Sequence, residues 1–473
     1  RSAVIAMMDA DHFNPEGDGI VAEISEYAQT QLRAAGYSFD VLIDDVTKHF
    51  VEESKKFFRQ GISGNRAAFE TSGQSIRNFI ATPSFFSTNG LPPGAMGGFY
   101  TFSEMNTEMN DLVAAFPGLV QKTSIGLSIE GRDIWCLKIS DNVTTDENNE
   151  PEVLYLGLQH AREAITGTSL IFFAQYLAQN YGTNEAVTNL VNNREIYIVP
   201  CTNPDGYVYN EVNDPGGGGM QRKNRRNVGS DITGQKGVDL NRNYGVDWAG
   251  CAGASSSCGS SNTSMETYWG ASAFSEPETR AIRDLCYARN FVAAFDQHCS
   301  GPYYSLPFGR RSYHTMPALD QQFYKFVPAL MGKYNGHRAG DSYTTVQYEV
   351  AGGAKDWWLL GDIESFPGEA NKKGKIYGMT GEAGGGGFWA PSNQIIELCK
   401  NLCFQNMQLA HAAGSYVDVQ DVDDIAITSL NPSLSFKIQR VGSGNDPVTI
   451  SIIPLQNIQS VGSPVTVNSL PTY

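Results

Sequence analysis

VLYLGLQ at residues 153–159 runs into HARE at 160–163 and then into AITGTSLIFFAQYLAQNY at 164–181. The first stretch is a short, almost unbroken apolar run of strand length, and the last has the length and composition of a buried helix. Passing from buried strand to helix within a few residues is the pattern of a layered α/β architecture. The alternation recurs outward from this point. REIYIVPCTN (194–203), FVAAFDQ (291–297) and IYGMTGE (376–382) read as further strands with helical segments between them. Near-continuous apolar strands are those of a sheet covered on both faces. From Phe99 to about Ser415 the sequence thus predicts an α/β domain with a mixed, mostly parallel central β-sheet flanked by helices.

The flanks read differently. VAEISEYAQTQLRAAGYSFDVLIDDV (21–46) predicts a helix stopped at Gly36, an alternating strand over Tyr37–Ile43, and then a charged helical stretch. TPSFFSTNGLPPGAMGG (82–98) has the Pro, Gly and Ser content of a linker. After Val417, AITSL (426–430), SFKIQRV (435–441) and VTISIIPL (448–455) predict a small β-sandwich-like region. Its length, roughly 50 residues, is short for a stable sandwich, which leaves room for a continuation past Tyr473. The expected division is 1–98, 99–415 and 416–473.

The chain has 473 residues, with 50 acidic against 34 basic side chains and a formal charge of −16. Phosphate backbones are bound by clustered Lys and Arg, so this balance argues against a nucleic-acid partner. No run of 18 apolar residues is present, and no membrane span is expected. Nothing at Arg1 resembles a signal peptide, although a targeting segment removed earlier would leave such a start. The eight cysteines form no CxxC pattern. Cys251 and Cys258 flank a Gly/Ser loop and read as a short disulfide, implying an oxidising compartment, whereas Cys399 and Cys403 read as core residues of a helix.

His160 and Glu163 are three apart where a strand passes into a helix, so both can face one metal ion. Imidazole nitrogen and carboxylate oxygen are good Zn²⁺ ligands, and a catalytic zinc takes three protein ligands plus an open position. HxxE by itself is weak. Of the seven histidines, His298 stands out because it ends an apolar strand, where ligands of open α/β sheets gather. Glu382 also ends a strand and could serve as general base. Asn241 and Arg242 could bind a carboxylate, through an amide and a bidentate guanidinium, and Arg222 could stabilise an oxyanion. Taken singly, each of these also fits a structural histidine, a solvated carboxylate or a surface basic cluster.

HARE (160–163), NPDGY (203–207), QRKNR (221–225), GVDLNRNY (237–244), QHCSG (297–301), YEVAGGAKDW (348–357) and TGEAGGGGFWAPSNQI (380–395) occur in an order and at spacings that resemble the M14, or funnelin, zinc metallocarboxypeptidases. The resemblance covers roughly residues 99–415. It implies hydrolysis of the C-terminal peptide bond of peptides and proteins with one Zn²⁺ per chain. His160, Glu163 and His298 resemble the zinc ligands, and Asp239 the carboxylate that orients a ligand histidine. Glu382 resembles the general base and acid, and Arg222 the residue that polarises the scissile carbonyl. Asn241, Arg242 and Tyr348 resemble the clamp on the terminal carboxylate, and Arg162 an auxiliary substrate-binding arginine. The region before Phe99 resembles part of the family's inhibitory pro-segment, which implies an activating protease cutting between Arg66 and Gly98, a monomeric enzyme, and a secreted or periplasmic location.

The departures are informative. Lys355 stands where the family's residue faces the base of the pocket for the terminal side chain. It either pairs with an acidic substrate side chain or turns away and leaves a broad or apolar pocket. WWLLGDIESFPGEANKKGKI, after Asp356, predicts a rim loop. Cys299 and Ser300 stand where Ser and an aromatic are usual, and Gly381 replaces a bulkier residue. Rival readings are a peptidoglycan-peptide carboxypeptidase, a small-substrate amidohydrolase on the same scaffold, and a non-catalytic binding module.

Overall fold

Strand pairing organises the chain in the computed structural model, which describes residues 13–16, 19–22, 24, 26–45, 80–84, 86, 92, 94–229, 236–252, 257–310, 313–362, 370–385, 387–421, 435–451, 461–468 and 470. At the start, β1 (Phe13–Glu16) pairs antiparallel with β2 (Gly19–Ala22). Eight strands then form one sheet: β3 (Val120–Leu127), β4 (Asp133–Ile139), β5 (Glu152–Leu156), β6 (Glu195–Val199), β7 (Phe291–Cys299), β8 (Tyr303–Ser305), β9 (Arg338–Gly340) and β10 (Tyr377–Ala383). Their order is β3-β4-β6-β5-β7-β10-β8-β9. The central pairs β6/β5, β5/β7 and β7/β10 are parallel, and antiparallel pairs flank them. This is the mixed, helix-flanked sheet that the apolar strands predict.

Local signals explain the covering helices. Thr101 accepts from the Glu104 amide while Glu104 reaches back to the cap, a complete capping box that starts the helix Phe102–Ala115. The helix Ala164–Asn180 is buried at every position from Ala164 to Ala178, so its sequence carries no polar stripe. It packs between the sheet and the helix Ser392–Ala412. Cys399 and Cys403 lie buried in that second helix, as their setting predicts.

Register decides which side chains meet. Glu382 of β10 lies opposite His298 of β7, and Thr380 opposite Asp296. Alternate residues share a face, so these four point one way while Phe295, Gln297, Met379 and Gly381 point the other. The Phe295 ring fills the space that a Cβ on Gly381 would need. That is the physical reason for glycine beside Glu382.

Three expectations change. Tyr37–Ile43 follows the helix Glu26–Ala34 and the left-handed turn at Gly36, but it joins no strand among the described residues. Val41, Leu42 and Ile43 are exposed there, so no sheet face rewards the alternation. The predicted rim loop begins instead as a helix, Ala354–Leu360, whose Trp357 and Trp358 are fully buried against the sheet. The linker stretch contributes Phe86 and Met96 to the core, with the Phe86 ring 4.8 Å from Phe172. The charged stretch after Asp45 and the AITSL segment lie outside the described residues. Towards the C-terminus, β11 (Val417–Asp421) pairs antiparallel with β12 (Phe436–Arg440), and β13 (Val448–Ile450) with β14 (Val465–Val467), giving two small antiparallel sheets.

Gly381→Ala overpacks the β10–β7 contact and is expected to lower unfolding free energy by about 1–3 kcal/mol in denaturant titrations. Adding Phe295→Ala makes room, so the double variant should lose less than the sum of the two single losses.

Candidate active site

The site gathers at the carboxyl ends of three adjacent strands, β5, β7 and β10, where a parallel sheet opens a crevice. His160 follows β5 in a tight turn rather than in a helix: the Glu163 amide donates to the His160 carbonyl at 3.1 Å, and Glu163 is the residue preceding the helix Ala164–Asn180. A turn of this size still puts residues three apart on one side. His160 Nδ1 lies 2.8 Å from Glu163 Oε1, and His298 Nδ1 lies 2.9 Å from Glu163 Oε2 and from His160 Nδ1.

NPDGY holds this turn in place. Asn203 caps the helix Pro204–Asn213 and its side-chain amide bonds the carbonyls of Gln159 and Arg222. A Cβ on Gly206 would stand 2.8 Å from Ala161 and from the Lys223 carbonyl. Glycine there lets the HARE turn and the QRKNR segment touch, which brings Arg222 to the ligands.

The outer nitrogen of each histidine faces a carboxylate. His160 Nε2 lies 3.1 Å from Asp239 Oδ1, and His298 Nε2 lies 2.6 Å from Asp296 Oδ2. In a metal-bound site each carboxylate would select the tautomer with the proton on Nε2, leaving the Nδ1 lone pairs to face each other and the Glu163 carboxylate. Two lone pairs and an anion converging in a buried space repel unless cations lie among them, and Arg222 Nη1, 3.0 Å from His160 Nδ1, is one such cation. The three donors sit within 4.8 Å of one another and are all buried, so the set fits a zinc ion.

The electrostatics agree. Burial alone would raise the Glu163 carboxyl, but attraction to the His160 and His298 rings in their charged form outweighs it and holds it well below the usual range, the same pull a central cation would exert. Burial likewise opposes ionisation of Asp239, and Arg222, His160 and Arg242 overcome it. Arg222 is itself buried, with Nη2 donating to Asp239 Oδ2 at 2.8 Å and Nη1 3.0 Å from His160 Nδ1.

One cavity is lined by His160, His298, Arg222 and Glu382, and further along by Asn241, Arg242, Tyr348 and Lys355. Asn241 is fixed by its Oδ1, which accepts from the Ala354 amide at 3.0 Å. Arg242 donates through Nε to the Cys258 carbonyl and through Nη2 to the Ser257 carbonyl, both at 3.0 Å. The Cys251–Cys258 disulfide, with Cα atoms 5.8 Å apart, closes the loop that supplies those carbonyls. Arg162 lies outside this lining, with its guanidinium 4.3 Å from the Phe388 ring centroid and 3.9 Å from Glu266.

Lys355 lines the cavity. Its Nζ donates to Ser305 Oγ at 2.6 Å, the Leu306 carbonyl at 2.9 Å and Ser342 Oγ at 3.0 Å. Burial lowers its pKa to about 8. Sequence reasoning missed Ser305, Ser342 and Asp296. The two serines come from β8 and the short helix Ser342–Thr345, distant in sequence, and carry no local signal. Asp296 does: Asp-x-His within a strand puts both side chains on one face.

The family model for zinc carboxypeptidases matches residues 105–405. A "Zinc carboxypeptidase" of Saccharothrix mutabilis subsp. capreolus is 32% identical over 360 residues, spanning 74% of this chain and 81% of that protein. "Carboxypeptidase A1" of Sus scrofa is 31% identical over 373 residues, spanning 77% and 76%. Among solved structures, carboxypeptidase A from Helicoverpa armigera superposes with a TM-score of 0.59 over 82% of this chain and 87% of that one, at 24% identity, which speaks to the fold alone. No helix among the described residues is long and apolar enough to cross a membrane.

Replacing the disulfide in the variant Cys251→Ser/Cys258→Ser is expected to lower stability by about 2–3 kcal/mol, the loop-entropy value for so short a ring. Thermal melts under oxidising and reducing conditions check it: the wild type should lose a matching increment on reduction, and the variant none.

Proposed function

We propose, for a chain that belongs to the zinc carboxypeptidase family and is a metallocarboxypeptidase using one catalytic Zn²⁺, that it preferentially releases acidic residues from peptide and protein C-termini. The observation that carries this preference is Lys355, a buried ammonium in the wall of the cavity whose hydrogen bonds among the described residues go to neutral oxygens of Ser305, Leu306 and Ser342. A carboxylate on the terminal side chain is the complement of such a group.

The roles follow from position. His160, Glu163 and His298 hold the metal, which when bound supplies Lewis-acid polarisation of a carbonyl and of water. Glu382, directly across from His298, takes a proton from the attacking water and returns it to the leaving amine. Arg222 offers its guanidinium to the developing oxyanion. Asn241, Arg242 and Tyr348 bind the free terminal carboxylate, which restricts cleavage to chain ends. Arg162, outside the cavity lining, contacts substrate residues further from the scissile bond. Asp239 holds His160.

On the same reading, residues 1–98 act as a pro-segment and linker, cut by a protease between Arg66 and Gly98, 99–415 as the catalytic domain, and 416–473 as a β-rich accessory region. The enzyme works as a monomer in a secreted or periplasmic setting, which the disulfide favours.

A panel of blocked dipeptides differing only in the last residue, assayed before and after limited proteolysis, tests the preference. Release of C-terminal Glu or Asp should exceed that of Leu, Phe or Lys, and release of apolar or basic residues first would overturn it. Lys355→Met should cut kcat/KM for Glu-terminated substrates about 10- to 100-fold, the worth of a charged hydrogen bond, and spare Leu-terminated ones. Glu382→Gln should lower kcat about 10²- to 10⁴-fold on all substrates.

The pH dependence has a defined sign. Lysine is cationic below its pKa, so kcat/KM for Glu relative to Leu should fall as pH rises through about 8. A ratio flat from pH 7 to 9 would count against Lys355 as the selecting charge.

A further inference from the structure

The two histidines are held by carboxylates in unlike surroundings. Asp239 shares its charge with Arg222 at 2.8 Å and has Arg242 at 3.9 Å. Asp296 has one ion pair among the described residues, and that pair is with His298. It is completely buried, and its Oδ2 takes two short contacts, His298 Nε2 at 2.6 Å and the Gln159 side-chain amide at 2.6 Å. Gln159 is in turn held by the Tyr244 hydroxyl, which donates to its Oε1 at 3.3 Å. Tyr244 is buried too, and burial keeps its phenol protonated and thus a donor. The other Asp296 oxygen, Oδ1, is buried with no hydrogen-bond partner.

A buried carboxylate without a guanidinium is unfavourable unless its charge is used elsewhere. Here it faces one imidazole, whose far nitrogen points to the metal position. The charge of Asp296 therefore bears chiefly on His298, whose Nε2 also has the Asn241 side-chain amide at 3.1 Å, and polarises that ring toward the metal position. Gln159 directly precedes His160, so one residue of the ligand-bearing turn also fixes the carboxylate behind the other ligand. The relay Tyr244–Gln159–Asp296–His298 ties the β5 turn to β7 through side chains as well as through the sheet.

We propose that Asp296, held by Gln159 and Tyr244, is a positioning residue that locks His298 with Nδ1 toward the metal and raises the zinc affinity of the site. The inference rests on the reading of His160, Glu163 and His298 as a zinc site.

The test uses the full chain as wild type, Asp296→Asn and Gln159→Leu. Zinc affinity is measured by chelator competition, the ligand field by cobalt(II) absorption, and folding by the melt of the zinc-free protein. Asp296→Asn should weaken zinc binding about 10- to 100-fold and alter the cobalt spectrum, with the zinc-free melt little changed. Gln159→Leu keeps the charge but frees it to rotate, and should weaken zinc binding in the same direction by less. Unchanged zinc affinity and cobalt spectrum in Asp296→Asn overturn the inference while leaving the zinc site intact. If Asp296→Asn does not fold, Gln159→Leu decides, and unchanged affinity there overturns it. A wild type that binds no zinc removes the underlying reading as well.

Discussion

The parallel pairing of β7 between β5 and β10 is the constraint on which the rest depends. It sets His298 directly across from Glu382 and carries both to the end of the sheet where the β5 turn delivers His160. A slip of one residue in either strand would send His298 or Glu382 to the helix-covered face. The register is in turn protected from behind. Phe295 occupies the space beside Gly381, and Gln297 is bonded to Ser169 and Asn406 on the two long covering helices. Packing on the apolar face thus fixes chemistry on the polar one.

Charge organisation supplies the second layer. Within a few ångströms, three anions (Glu163, Asp239 and Asp296) and two cations (Arg222 and Arg242) are buried together with two imidazoles. Isolated ions in such a place would be strongly unfavourable, and each is tolerated because a neighbour of opposite sign or a set of carbonyls faces it. Arg242 is the clearest case. Three backbone carbonyls satisfy its guanidinium, and Asp239, 3.9 Å away, is shared with the closer Arg222. Lys355 repeats the arrangement with one carbonyl and two hydroxyls. Positive charges held by neutral oxygens suit a cavity that receives anions.

Much of this was legible in the sequence, for identifiable reasons. Apolar strands announce themselves through composition, so β5, β6, β7 and β10 fall where the sequence places them. The ligands and Glu382 were legible because each ends such a strand or follows one. Cys251 and Cys258 were legible from spacing. What was not legible depends on partners distant along the chain. Tyr37–Ile43 alternates like a strand, but alternation cannot say whether a second strand arrives. Trp357 and Trp358 look like a loop when read beside glycines and charges, yet the sheet offers them a face to bury. Ser305 and Ser342 become a lysine cradle only because β8 and its neighbouring helix fold back against β10 and Lys355.

The helix Ala164–Asn180 has a last consequence. A helix enclosed on every side cannot fray piecemeal into water, because any opening of its middle turns requires the surrounding layers to part. Its amide protons should exchange with solvent only when the whole domain opens. Glu163 immediately precedes that helix, and so one candidate metal ligand is anchored to an element enclosed on every side. Lys355 lies in the seven-residue helix Ala354–Leu360, which is also buried from Ala354 to Leu359 but is far shorter. The candidate reaction centre is therefore tied through Glu163 to a helix expected to be among the last parts of the domain to open.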